Sequence, residues 1–157
     1  MKIRIVTLIT CVSFMVVSCT TLKQNSMKST EIFPKGQKAT AYFTGDAWIE
    51  MLSSDVATFD AMTYNVTFAP GSRNYWHVHS GGQILLCTSG EGYYQEKGQP
   101  AQKLKAGDVI EVKPNVIHWH GATPTSTFVH IGITPQVNKN NVTWLNPVSE
   151  DEYASNF

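Results

Sequence analysis

Charge is scarce in this sequence and evenly split. Twelve Lys and Arg face 12 Asp and Glu, only 15% of the 157 residues are charged, and the formal net charge is +0. No run of basic residues interleaved with aromatics occurs, so the electrostatic footprint of a nucleic-acid-binding surface is missing. Cysteine is scarcer still, with three residues, Cys11, Cys19 and Cys87. Two of them fall in the N-terminal segment, which leaves Cys87 alone and no intramolecular disulfide framework. No stretch carries a sustained 3.6-residue apolar period, which argues against a helical fold. Nor does any apolar run reach the roughly 20 residues that a membrane-crossing helix needs. What the chain does have is 42% hydrophobic and 11% aromatic residues, enough for the core of one globular domain.

The N-terminus reads as an export signal. Lys2 and Arg4 form a short positive region, and Ile5 to Val17 an apolar core too short to span a membrane. Val16-Val17-Ser18-Cys19 then resembles the lipobox of bacterial lipoproteins, where cleavage precedes a Cys that becomes acylated. The expectation is a signal peptide over 1–18, a lipidated Cys19, and a polar tether to residue 38 rich in Thr, Lys, Ser, Asn and Gln. Without the signal, ten basic residues remain against 12 acidic ones. The expected location is the bacterial cell envelope, outside the cytoplasm, with membrane contact only through the N-terminal lipid.

From Ala39 to the C-terminus the chain reads as one domain of short strands punctuated by turn residues. Ala61 to Phe68 alternates, with Met62, Tyr64, Val66 and Phe68 on one face and Thr63, Asn65 and Thr67 on the other. Tyr75 to His79, Gln83 to Thr88, Tyr93 to Glu96, Gln102 to Leu104, Val109 to Val112, Val116 to Ala122 and Thr127 to Ile133 are further strands. Gly81-Gly82, Gly90-Glu91-Gly92 and Ala106-Gly107-Asp108 are expected as turns between them. Ser149 before Glu150-Asp151-Glu152 predicts a short capped C-terminal helix. The class is therefore all-β, a sandwich or barrel, and the length suits a small double-sheet roll.

All five histidines, His77, His79, His118, His120 and His130, fall in three of these strands. His77 and His79 stand at i and i+2 and so share one strand face, as do His118 and His120. Gln83 can re-enter the same region after the Ser80-Gly81-Gly82 turn. A lone strand histidine is usually a packed or surface residue; five so concentrated point to a metal site. Imidazoles with one carbonyl oxygen suit a borderline-to-hard divalent ion. Cys87 follows Gln83 and Leu85 on one face and is expected as a small buried hydrophobe. Trp76 and Trp119 point away from the histidines and are expected to pack.

Gly71-x5-His77-x-His79-x3-Gln83-x6-Gly90 resembles the first motif of the cupins, with Gln where most members carry Glu. Gly107-Asp108 through Pro114 to His118 resembles the second. The resemblance implies a double-stranded β-helix barrel and a four-ligand set of His77, His79, Gln83 and His118. Phe43-Thr44-Gly45, Phe68-x-Pro70-Gly71 and His118-Trp119-His120-Gly121-Ala122 are similar to the small manganese-dependent hydroxynitrile lyase-like cupins. That likeness implies Mn2+, with Fe2+, Ni2+ or Zn2+ also compatible with three His and one Gln, and a catalytic base at His130. A homodimer is expected on the same resemblance. Two positions depart from the lyases: Tyr64 stands where a small residue is found, and Thr134 where Gln is.

A neutral ligand set leaves the ion its full charge, suited to polarising a substrate oxygen. His130 is the expected base and His120 a pocket or supporting residue, with Tyr64 and Val66 facing a small-molecule substrate. The first expectation is a metal-dependent lyase. A cupin dioxygenase or isomerase is the alternative within enzymes, and a lipid-anchored binding protein without turnover the alternative outside them.

Overall fold

The computed structural model describes residues 32–157. The expected signal segment, Cys19 and most of the expected tether lie outside the described residues. The described chain begins with β1 (Gln37–Lys38), β2 (Phe43–Thr44), β3 (Ala47–Met51), a one-turn α1 (Val56–Phe59) and β4 (Ala61–Phe68). It continues with β5 (Arg73–Asn74), β6 (His77–His79), β7 (Gln83–Glu96), β8 (Gln102–Lys105) and β9 (Val109–Val112). Then come β10 (Ile117–Ala122), β11 (Phe128–Pro135), β12 (Val142–Trp144) and α2 (Glu150–Ala154). Among the described residues the fold is thus nearly all-β, as the alternation predicts. Gln37 and Lys38, in the last residues of the expected tether, already pair with Ile49 and Trp48.

All strands pair antiparallel in one curled sheet, along the order β1-β3-β4-β11-β7-β10-β5-β2. β7 links its two halves. Its first residues pair with β9 and β11, and Glu91 to Tyr94 pair with β8. Gly92 to Glu96 also pair with β10. This corrects the expected turn at Gly90-Glu91-Gly92, because β7 runs through it as one 14-residue strand. The glycines serve close approach instead of reversal. A Cβ on Gly92 would stand 2.5 Å from the Phe128 ring and 2.6 Å from the Gly121 oxygen. Gly90, at φ +71, bends the strand where it passes from one half of the sheet to the other.

Two clusters bury the apolar residues. The interior one contains Val66, Phe68, Leu85, Cys87, Leu104 and Phe128. Cys87 is a free, buried thiol there, as expected, and burial pushes its pKa up to about 11. The second cluster is Trp76, Tyr93, Trp119, Val148 and Tyr153, so both Trp side chains pack away from the histidines, as alternation predicts. The predicted C-terminal helix covers this second cluster. Ser149 caps it in a reciprocal box with Glu152, and Tyr153 donates to the Ala122 carbonyl at 2.7 Å. Arg73, buried in β5, donates to the Val148 carbonyl at 3.0 Å and to Glu150 at 2.7 Å. The segment is tied down at both its start and its helix.

Candidate metal centre

Strand register brings the predicted residues together. His118 of β10 lies directly across from His77 of β6, and β12 covers the other edge of β6 with Val142 opposite His79. The Ser80-Gly81-Gly82 turn then returns the chain so that Gln83 opens β7. Asn140 staples that turn: its amide donates to the Gly82 and Pro135 carbonyls, and its oxygen accepts from the Gly81 N–H at 2.9 Å. One ligand atom each from His77, His79 and His118 lie within 4.8 Å of one another, and all three side chains are buried.

The hydrogen bonds around these rings decide what each nitrogen can do. His77 Nδ1 sits 2.9 Å from the Tyr75 carbonyl and His118 Nδ1 sits 3.0 Å from that of Val116. A carbonyl only accepts, so both Nδ1 atoms carry the proton and both Nε2 atoms present a lone pair. Burial lowers the His79 and His118 pKa values to about 4, so both rings are neutral at pH 7. His77 is lowered well below its ordinary value, by burial first and then by its histidine neighbours.

Gln83 offers a candidate fourth atom. Its Nε2 donates to the Tyr64 hydroxyl at 2.7 Å, which leaves Oε1 facing His118 Nε2 at 3.1 Å. In this orientation neither atom carries a proton to share. Two lone pairs at such a distance call for a cation between them, and about 3 Å separates adjacent ligands at an ion roughly 2.2 Å from each. His79 Nδ1 is buried without a partner as well. The donor set therefore fits a divalent cation.

Beside this cluster lies a cavity of about 280 Å³. Phe43, Ile49, Met62, Tyr64, Val66, Val142 and Trp144 form its apolar wall, and His77, His79, Gln83 and His120 its polar end. Among the described residues, no Asp, Glu, Lys or Arg lines it. Tyr64 and Val66 thus face the cavity, as expected. The Tyr64 hydroxyl, however, is spent on Gln83 and on Thr134 Oγ1 at 3.2 Å rather than offered to a guest. Burial raises the Tyr64 pKa, so the phenol stays protonated.

The two remaining histidines lie at different depths. His120 lines the cavity, one of the two roles expected of it, and His130, the expected base, is fully buried and absent from the cavity lining. His130 Nε2 approaches His120 Nδ1 at 3.2 Å, and His130 packs against Phe68 and Phe128. Burial lowers both rings, His130 to about 4. Asn74, a residue the sequence reading did not single out, orients His120. Its Oδ1 accepts the His120 backbone N–H at 2.9 Å and its Nδ2 lies 3.0 Å from the ring Nε2. Only the pairing of β5 with β10 signals its role.

Residues 64–131 match the model of the Cupin domain family. An (R)-mandelonitrile lyase of Granulicella tundricola is 34% identical over 118 residues, covering 75% of this chain and 90% of that protein. The crystal structure of a cupin-like protein from Thermotoga maritima is 50% identical with a TM-score of 0.77, over 80% of this chain and 96% of the other. A DMSP lyase from Ruegeria pomeroyi, at 16% identity and a TM-score of 0.58 over 73% and 64% of the two chains, shares the fold. By sequence, by strand order and by the histidine cluster at the end of its cavity, the chain belongs to the cupin family.

Proposed function

We propose that the protein is a metal-dependent lyase that splits small cyanohydrins into an aldehyde and cyanide, with Mn2+ held by His77, His79, Gln83 and His118. The observation that carries this reading is the meeting of four neutral donors with an apolar, uncharged cavity and a histidine on its wall. The similarity to an (R)-mandelonitrile lyase supports the same reaction. When bound, a divalent cation supplies Lewis-acid polarisation of a substrate oxygen.

The chain's own residues do the rest. The walls from Phe43, Ile49, Met62 and Val142 exclude water and receive the organic part of the substrate. His120 takes the hydroxyl proton, the carbon–carbon bond breaks with its electron pair leaving as cyanide, and the same proton completes HCN. Asn74 and His130 hold the His120 ring between them: the Asn74 amide donates to Nε2 and Nδ1–H points to His130, so Nε2 carries the lone pair that takes the proton when the substrate hydroxyl replaces the amide there. Two further parts of the reading concern the whole chain: a lipid anchor at Cys19 in the bacterial envelope, and a homodimer.

The test is benzaldehyde release from mandelonitrile by detergent-solubilised full-length protein loaded with Mn2+. Turnover that disappears in His118→Ala and falls at least about 100-fold in His120→Ala supports the reading. Inactivity at full metal occupancy, across aliphatic and aromatic cyanohydrins, overturns it.

A further inference from the structure

We infer that Tyr64 and Thr134 form a hydroxyl strut that fixes Gln83 as an oxygen ligand and thereby sets how tightly the centre holds its ion. The inference rests on the metal centre proposed above. Gln83 is buried, and its amide must place two kinds of atom: an oxygen that only accepts and a nitrogen that only donates. Nε2 donates to the Tyr64 hydroxyl at 2.7 Å, and that hydroxyl lies 3.2 Å from Thr134 Oγ1. A phenol has a single proton. Having accepted from Gln83, Tyr64 directs its own proton to Thr134, and donation runs from amide to phenol to threonine.

The reverse amide orientation is satisfied in one circumstance alone. Without a cation, the Gln83 N–H can donate to the free lone pair of His118 Nε2, while Tyr64 donates to Oε1. A cation claims both lone pairs, and Tyr64 is then the hydrogen-bond partner the structure offers the amide. Removing the phenol oxygen therefore strands a buried N–H in the ion-bound state and not in the ion-free one. The loss falls on affinity while the fold keeps its ring. β11 makes room for the strut with Gly132, directly opposite Tyr64, where a Cβ would stand 2.3 Å from the phenol ring. Tyr64 and Thr134 are thus positioning residues, acting on the ion through Gln83.

The experiment measures Mn2+ affinity of the full-length protein by competition with a chelator, with the thermal midpoint of each metal-free variant alongside. Tyr64→Phe is expected to bind Mn2+ about 10-fold to 100-fold more weakly than wild type while melting close to it. Thr134→Val, which keeps the side-chain volume and removes only the far end of the strut, loses several-fold and carries the test should Tyr64→Phe unfold. In a Gln83→Ala background the Tyr64→Phe change is expected to alter affinity by no more than about 2-fold. Wild-type affinity in both single variants overturns the strut. So does an equal loss with and without Gln83, because the effect would not then pass through the amide. Wild-type binding no tighter than that of His77→Ala overturns the metal centre itself, and the strut with it.

Discussion

Replacing Gly132 by Ala tests how little slack the cavity wall has. The residue sits in the middle of β11, paired across the sheet with Tyr64, and its φ is not in the left-handed region, so an alanine backbone is allowed. The difficulty is space. The new Cβ would lie 2.3 Å from Tyr64 Cε2, 2.6 Å from Cζ and 2.9 Å from the hydroxyl. Carbon atoms pack at about 3.5–4.0 Å, so the ring must retreat by more than about 1 Å. The hydroxyl's contacts to Gln83 and Thr134, at 2.7 and 3.2 Å, cannot follow that shift intact. Overpacking of this kind costs about 1–3 kcal/mol. Losing glycine's backbone freedom returns about 0.5–1 kcal/mol, and weakening the hydroxyl's bonds takes back about 1 kcal/mol. The net is a destabilisation of about 1–3 kcal/mol, a thermal midpoint lowered by roughly 5–10 °C in a domain of this size. Circular dichroism melts of the metal-free protein read it directly. The same substitution in a Tyr64→Val background should be neutral or stabilising, since the ring it strikes is gone. A Gly132→Ala protein that melts at or above wild type, or one equally destabilised with Val at position 64, refutes the reasoning.

Three further outcomes follow from the same structure. Burial holds His79, His118 and His130 at about 4, whereas the unfolded chain takes up these protons near 6.5. The metal-free protein is then fully stable above pH about 6.5 and loses stability as pH falls toward 4. The slope is about 1.4 kcal/mol per pH unit for each titrating histidine, and a midpoint flat from pH 7 to 5 in the presence of chelator contradicts neutral burial. Asn140→Ala removes two hydrogen bonds to the turn between His79 and Gln83 and a third to the Pro135 carbonyl; about 2–4 kcal/mol of stability should go, with faster hydrogen exchange at the Gly81 amide. Arg73→Ala should release the Val148–Ala154 segment, seen as exchange at its amides, while Glu150→Gln should change stability by less than about 1 kcal/mol because that carboxylate is 78% exposed.

Strand alternation made most of the site legible from the sequence. Residues two apart share a face, so His77 with His79, and Tyr64 with Val66, could be assigned to the cavity before any pairing was known. The same rule sent Trp76 and Trp119 to the opposite cluster. It failed where glycine has two uses. Gly90 and Gly92 look like turn residues, and β7 instead keeps them for bending and for the close approach of Phe128 and Gly121. α1 was missed because one turn is too short to display a helical period; its signal was Asp55, whose side chain accepts from the Thr58 N–H at 3.0 Å.

Depth within the barrel was the other illegible quantity, since alternation assigns a face and no distance. His118 and His120 point the same way from β10, yet they do different work because different strands lie beside them. His118 is opposite His77 of β6 and joins the ligand cluster; His120 is beside Asn74 of β5 and meets His130 instead. Pairing register, which the local sequence does not carry, made that choice. Register also joins two positions of the cavity wall. Tyr64 and Thr134 are 70 residues apart in sequence and look like independent features of a pocket. With Gly132 opposite Tyr64, β11 sets Thr134 two residues further along, within reach of the phenol. The pair is then a single unit attached to Gln83, and removing either hydroxyl alone would break a hydrogen-bonded chain ending at that amide. Narrowing the cavity and orienting the proposed Gln83 ligand are two consequences of one side chain, so a variant that widens the pocket at Tyr64 should weaken Mn2+ binding at the same time.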